Sequence, residues 1–516
     1  AFQNGPNSGH DVFIPLDWVI GGREGVGRGW VMLMECLSTG RGISLPALGA
    51  GGGKFCSRQT GAYARVRRQF NLPIGKFEGI EEPLARIAAR TYMMDSARLL
   101  TLSALDAGEK PSVVSAILKH FNTEGFREVV NDAMDVHGGR GICEGPSNYL
   151  ANAYRSIPVA ITVEGANILT RSMIVFGQGA MRCHPYLIGE ILAAQNDDAE
   201  QASRDFDDAL VGHMGFTLRN GARAFVYGLT RSRLAPAPRP GPTAKYFRRL
   251  ARMSAAFAFV ADMTLLTLGG ELKRKEKLSG RFADALIHMF VCSAVLKHFE
   301  DTDRPQADLP LMEWSVKYCL YRIQDALDEI LRNFPITWFG IVLRWTVFPL
   351  GRRFRYPNDR TGRRAAQLLL EPSPARDRLT AGIYVDPRPD DITGCLEHAL
   401  LLAIEAEPIE ARLRKRGQAW SPRLDYEAWL HRQVDEGVID AAEADTLRAW
   451  RKALRRVIDV DDFEGTANTA AAPAAAKKAP AGASGRKKVG AKKKAAARRK
   501  TAARKKTAAS NTGGSA

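Results

Sequence analysis

The chain has no close pair of cysteines. Cys36, Cys56, Cys143, Cys183, Cys292, Cys319 and Cys395 are scattered, with no CxxC and no Cys/His ligand spacing. That pattern argues against a zinc site and a disulfide framework, and it fits reduced thiols in a cytosolic setting. There is no initiator Met and no signal-peptide pattern at the start. No dinucleotide fingerprint is present: Gly25-Val-Gly-Arg-Gly29 does not fit GxGxxG. A phosphate loop is missing as well. Near Lys54, Leu48 stands where the first Gly is needed and Phe55 where a Ser or Thr would hold Mg²⁺. The glycines before Lys54 are then expected to permit close helix packing. Acidic residues are wholly absent from Thr466 to the end, where fourteen Lys or Arg occur. Without that tail the net charge of +18 falls to +4, so strong basicity belongs to the tail and not to the fold.

What is present reads as helix. With 516 residues the chain exceeds the usual size of one core. Residues 1–28 read as the last strands and Gly-rich turns of a β-domain, with no partner strand before them, which suggests missing upstream sequence. Residues 29–190 read as an antiparallel helical bundle. Leu84, Ile87, Ala88, Tyr92, Met93, Ala97 and Leu100 repeat with a helical period. Val113 to Val136 gives another helix, stopped by Gly138 and Gly139. Asn196-Asp-Asp198 marks a boundary, and 196–415 read as a second all-helical domain, broken at Pro236–Pro242. Residues 416–465 form a charged helical extension. Residues 466–516 have too little apolar surface for a core and are expected to be disordered.

One stretch carries a chemical signal. Glu164 follows an apolar run (Val159, Ala160, Ile161, Val163) and precedes Gly165 and an amphipathic segment containing Ile168, Leu169, Met173, Val175 and Phe176. Apolar surroundings raise a carboxylate's pKa, and a carboxylate near neutrality suits abstraction of a carbon-bound proton. The other reading is a plain helix-start carboxylate, favoured there by the helix dipole.

The order and spacing of several motifs place Glu164 in context. Gly27-Arg-Gly-Trp30 comes first, then Gly40-Arg-Gly42, Arg67-Arg-Gln-Phe70, Pro73-Ile-Gly-Lys-Phe77, His137-Gly-Gly-Arg-Gly141, the Glu164 segment and Arg182-Cys-His-Pro185. Up to about residue 415 the set resembles the C-terminal half of the acyl-CoA dehydrogenases. It looks most like the large bacterial long-chain type with an extra C-terminal helical domain. That family normally has an N-terminal helical domain and a β-domain before this point, so the resemblance implies an N-terminally truncated chain. It also implies an FAD cofactor, a medium- or long-chain acyl-CoA substrate, and α,β-dehydrogenation to the trans-2-enoyl-CoA in fatty-acid β-oxidation. Electrons would pass to an electron-transfer flavoprotein.

By the resemblance Glu164 is the catalytic base, and Gly165 and Arg41 lie at the substrate. Arg67, Gln69 and Phe70 reach the FAD of a neighbouring subunit, which implies a homo-oligomer. A guanidinium paired with pyrophosphate and an aromatic on the cofactor are physically sound contacts. Gly138 and Gly139 let backbone approach the adenosine half of FAD. Two departures stand out: Asp135 replaces a common Gln, and Ala166 replaces a Thr whose hydroxyl often contacts the flavin. No metal is implied. A related oxidase passing electrons to oxygen is one alternative. The other is a non-catalytic helical fragment that binds membrane or nucleic acid.

That second alternative rests on two segments. Residues 331–353 contain two Trp, three Phe and several Arg, but Pro335, Arg344 and Pro349 interrupt the run, so it should not span a bilayer. It reads either as a buried core helix or as a peripheral membrane contact, which would put a cytoplasmic protein on the inner membrane. The tail resembles linker-histone-like tails. It would bind polyanions by counterion release, and it has no aromatic for base stacking.

Overall fold

The computed structural model describes residue 5 and residues 7–109, 111–179, 183–386 and 388–463. The basic tail therefore lies outside the described residues, as does Arg182.

The glycines before Lys54 sit inside a single long helix, α1 (Gly29–Val66). They are contact points. A Cβ on Gly49 would lie 2.5 Å from the Asn122 carbonyl oxygen, one on Gly52 2.3 Å from the Phe126 ring, and one on Gly53 2.7 Å from Met94 Cε. Small residues there let α1 approach α2 (Glu78–Asp106) and α3 (Ser112–His137) closely. Asn122 Nδ2 fastens all three, donating to the Pro46 carbonyl at 3.0 Å and the Met94 carbonyl at 3.2 Å.

Between α1 and α2 lies the only sheet among the described residues, the hairpin β1 (Arg68–Gln69) and β2 (Leu72–Pro73), with Arg68 opposite Pro73 and Gln69 opposite Leu72. Phe70 and Asn71 at its tip both have positive φ, as a two-residue hairpin turn requires. After α3 come α4 (Gly139–Ile142), α5 (Ala151–Thr162) and α6 (Asn167–Gln178), with a 50° bend between α5 and α6. The amphipathic segment after Glu164 is not a plain α-helix: from Thr170 to Gln178 it is wound as a π-helix.

The remaining helices are α7 (Leu187–Ala193), α8 (Ala199–Leu229), α9 (Ala244–Leu268), α10 (Glu276–Asp301), α11 (Leu309–Arg332), α12 (Thr337–Val347), α13 (Asp359–Gln367), α14 (Pro374–Leu379), α15 (Gly394–Lys415), α16 (Tyr426–Asp435) and α17 (Ala441–Ile458). Asp198 starts α8 by accepting from the backbone N–H groups of Glu200 and Gln201. α10 packs against α2, α6 and α11, and α15 packs against α1 and α17. One buried cluster runs from Leu45 to Val457. By length and composition α9 and α10 could cross a membrane. Here Phe282, Val291, Cys292 and Phe299 bury α10 in the protein core.

Among the described residues of 1–28 the expected strands are absent. The described residues of that stretch hold two 3₁₀ turns, Leu16–Trp18 and Gly22–Gly25, and no strand. Phe13, Trp18 and Ile20 are exposed. A strand needs a neighbour to take its backbone hydrogen bonds, and no neighbour strand is present among the described residues.

Candidate active site

Glu164 occupies the sharp corner between α5 and α6. It has φ +52°, and Gly165 follows with φ +88°. Two successive left-handed residues reverse the chain. For a glutamate that conformation is strained, so surrounding structure must hold it.

The holder is Lys119, on α3. Its Nζ donates to the Gly165 carbonyl at 2.9 Å, the Ile161 carbonyl at 3.0 Å and Asn167 Oδ1 at 2.6 Å. Three acceptors satisfy all three ammonium protons. Asn167 in turn donates to Thr123 Oγ1 at 3.0 Å and Glu124 Oε1 at 2.8 Å, and Thr170 Oγ1 donates to the Gly165 carbonyl at 3.1 Å. Burial pulls the Lys119 pKa down from 10.5 to about 8; Glu164 and Glu124 oppose that fall and Arg41 adds to it. Lys119 did not stand out in the sequence. The signal was a lysine among the buried residues of an amphipathic helix.

The Glu164 carboxylate caps no helix, because α6 starts from Ala166 with no side-chain cap. Its Oε2 is buried without a hydrogen-bond partner. The carboxylate lies over α1 at Gly40, where a Cβ would come 3.8 Å from Oε1. The neighbouring Arg41 has its Nε buried and unpartnered, and no ion pair joins Arg41 to Glu164 among the described residues. The apolar run before Glu164 surrounds it only in part: Ala160 and Ile161 are buried, but Val163 is exposed. The Glu164 N–H has no backbone partner among the described residues. The corner therefore presents a half-buried, unpaired carboxylate and a free amide donor side by side.

A second site forms at the other end of α3. Arg67, Gln69, Gly138 and Gly139 line one cavity of about 460 Å³, together with Tyr63 and Arg140. The cavity wall carries two guanidinium groups and no carboxylate. Arg140 donates to the Ser147 and Val457 carbonyls but leaves its Nη1 buried and unpartnered. Gly138 has φ +57°, and a Cβ on either glycine would meet only open space. Asp135 is exposed and does not line the cavity. His137 anchors the wall, bonded to the Ala133 carbonyl and the Tyr149 hydroxyl, with burial lowering its pKa to about 4. Phe70 is not in the cavity. It stands 88% exposed at the hairpin tip.

His184, His213 and Asp262 bring donor atoms within 4.8 Å of one another. His184 Nδ1 accepts from the backbone N–H groups of Tyr186 and Leu187, so its proton sits on Nε2, which donates to Asp262 Oδ1 at 3.1 Å. That tautomer leaves His184 no lone pair for a metal. Thr217 and Glu190 complete a polar bolt between α7, α8 and α9.

The family follows from comparison with known proteins. A model of the bacterial-type acyl-CoA dehydrogenase C-terminal region matches residues 181–463, and one of the acyl-CoA dehydrogenase C-terminal domain matches residues 27–177. The chain belongs to the acyl-CoA dehydrogenase family. It is 26% identical to the probable acyl-CoA dehydrogenase FadE10 of Mycobacterium tuberculosis, over 64% of this chain and 51% of that protein. It is 32% identical to the 3-(aryl)acrylate reductase of Clostridium sporogenes, over 28% of this chain and 38% of that protein. An acyl-CoA dehydrogenase of Bacillus anthracis, solved in complex with FAD, shares the fold with a TM-score of 0.52 and 18% identity, over 66% of this chain and 57% of that one. The chain spans between about a third and a half of the length of the first curated relatives it matches.

Proposed function

We propose that the chain carries the catalytic-base half of an FAD-dependent acyl-CoA dehydrogenase. The reaction is α,β-dehydrogenation of a medium- or long-chain acyl-CoA to the trans-2-enoyl-CoA, in fatty-acid β-oxidation. The observation that carries this reading is Glu164 Oε2, buried and without a partner in a strained corner of the chain. An orphaned carboxylate oxygen is costly unless a reacting proton completes it.

Glu164 takes the α-proton of the thioester. Negative character then develops on the thioester oxygen, and the Glu164 backbone N–H is the chain's donor for it. Arg41 and Lys119 supply positive charge around the corner. Bound FAD supplies the acceptor for the β-hydrogen, as a hydride. Arg67, Gln69, Gly138, Gly139 and Arg140 suit the pyrophosphate-bearing part of that cofactor, because their cavity joins two cations to bare glycine backbone.

Lys119 and His137 are eighteen residues apart on α3, about 27 Å along the helix axis. Base and cofactor cavity therefore serve different active sites of a homo-oligomer, the cavity holding the FAD of a neighbouring subunit. Electrons leave to an electron-transfer flavoprotein.

The test is an anaerobic visible spectrum of the protein with added FAD, before and after palmitoyl-CoA. A bound flavin band that bleaches is the expected result. A bound flavin that ignores palmitoyl-CoA and shorter acyl-CoAs alike would refute the assignment. Peroxide formed in air at the turnover rate would favour the oxidase reading instead.

A further inference from the structure

Residues 331–353 are neither wholly buried nor wholly exposed. α12 turns Gly340, Leu343 and Val347 into the core and leaves Trp338, Ile341, Val342 and Trp345 outside. The outward four follow the i, i+3, i+4, i+7 pattern of a single face. Trp338 is 67% exposed and Trp345 65%. Folding left two tryptophans in water although a buried face was available on the same helix.

α8, which packs against α12, continues the surface. Val211, Met214 and Leu218 are exposed on one stripe, and Phe225 further along it lies 5.7 Å from the Trp345 ring. The turn just after α12 meets α8 at Gly228, where a Cβ would sit 2.7 Å from Pro349. The result is one apolar face built from two segments more than a hundred residues apart in the chain.

Charge decides what covers this face. Residues 209–243 contain five Arg and no Asp or Glu, and residues 330–358 also contain five Arg and no Asp or Glu. Arg332, Arg344 and Arg352 are tied to Asp325 and Asp328 of α11. Arg219, Arg223, Arg231, Arg233, Arg353 and Arg355 are exposed and form no ion pair among the described residues. A second copy docked face to face would set these cations against their own counterparts. An anionic bilayer surface offers phosphates for the arginines and an acyl boundary for the tryptophans.

We propose that the outer faces of α8 and α12 form a peripheral binding surface for an anionic phospholipid bilayer. Trp338 and Trp345 insert at headgroup depth, and the flanking arginines hold lipid phosphates. This inference is independent of the dehydrogenase reading and is tested without turnover.

The experiment is flotation of the full chain with vesicles of phosphatidylcholine, with and without phosphatidylglycerol, at low and high salt. Salt strips purely electrostatic contact of the basic tail, whereas apolar insertion persists. The wild type is expected to float with phosphatidylglycerol vesicles and to keep a bound fraction at high salt. The double variant Trp338→Ser/Trp345→Ser should lower the high-salt bound-to-free ratio by roughly tenfold or more. Met214→Ser/Leu218→Ser should act in the same direction. The aromatic-preserving Trp338→Phe/Trp345→Phe should still float but lose tryptophan quenching by brominated lipids. Three results would each overturn the proposal. They are flotation of the Ser variant equal to wild type at high salt, wild-type binding that vanishes with salt, and a dimer in sedimentation that the Ser substitutions dissociate.

Discussion

Lys119 Nζ donates to the carbonyl oxygen of Gly165 at 2.9 Å. This bond links the interior of α3 to the peptide that follows the candidate base, and with its two companions it holds Glu164 at φ +52°. Lys119 is a positioning residue. Its replacement by Met would leave the Ile161 carbonyl and Asn167 Oδ1 without their donor, while the Gly165 carbonyl keeps Thr170 Oγ1; the loss is about 1–3 kcal/mol for each buried group left unpaired.

The pH dependence of Lys119 has a definite sign. Its folded pKa, near 8, lies below the unfolded value of 10.5. Below pH 8 both states are protonated and the burial cost of the ammonium is fully present. Between about 8 and 10.5 the unfolded chain holds more protons than the folded one, so this contribution favours folding increasingly as pH rises. The denaturation midpoint of the wild type relative to Lys119→Met should therefore rise across that window. A flat difference would mean that the lysine is not buried as an ammonium.

Glu164→Gln keeps the size of the side chain and removes the base. Flavin binding and the folded spectrum should be unchanged, while anaerobic bleaching by palmitoyl-CoA slows by at least about 100-fold. Turnover close to wild type would exclude Glu164 as the base.

Gly51 and Gly52 are neighbours on α1 with opposite surroundings. A Cβ on Gly51 meets nothing within 4 Å, whereas one on Gly52 falls 2.3 Å from the Phe126 ring. Gly51→Ala should stabilise by about 0.5–1 kcal/mol through helix propensity. Gly52→Ala should destabilise by about 1–3 kcal/mol through overpacking. Chemical denaturation of the two variants gives both signs.

His137 and His288 are buried, and desolvation lowers both to about pKa 4 from 6.5. The unfolded chain takes up their protons at 6.5 and the folded chain does not until about 4, so stability present above pH 6.5 is lost as the pH falls towards 4. His288→Gln should flatten the fall of the denaturation midpoint over that range. An unchanged slope would place the proton uptake elsewhere.

Thiol titration follows burial. Cys36, Cys143 and Cys183 are exposed, whereas Cys56, Cys292, Cys319 and Cys395 are buried. Burial pushes the Cys56 thiol up to about 12. Three thiols should react quickly with a disulfide reagent in the native protein, and four only after unfolding.

The helices were legible because their information is local. The apolar period of Leu84–Leu100 and the glycine stop after His137 appear in the structure as α2 and α3. Residues 1–28 misled because a β-branched, aromatic stretch resembles a strand whether or not a partner exists. Glu164 was picked out by its order among the other motifs, but neither the left-handed corner it occupies nor Lys119 was. Lys119 lies forty-five residues before Glu164 in the chain, and its role depends on which carbonyls face it after packing.

The sequence by itself determined the helical class, the packing role of the α1 glycines, the position of Glu164 between an apolar run and an amphipathic segment, and the confinement of excess charge to the tail. These depend on residue type and short-range period. Only the tertiary structure decided that Arg67, Gln69, Gly138 and Gly139 share one cavity while Phe70 stays outside it. It likewise decided that Lys119 restrains the base and that Trp338 and Trp345 face water. The physical reason is the same in each case: burial and pairing are properties of the helices that surround a side chain, and those helices come from distant parts of the chain.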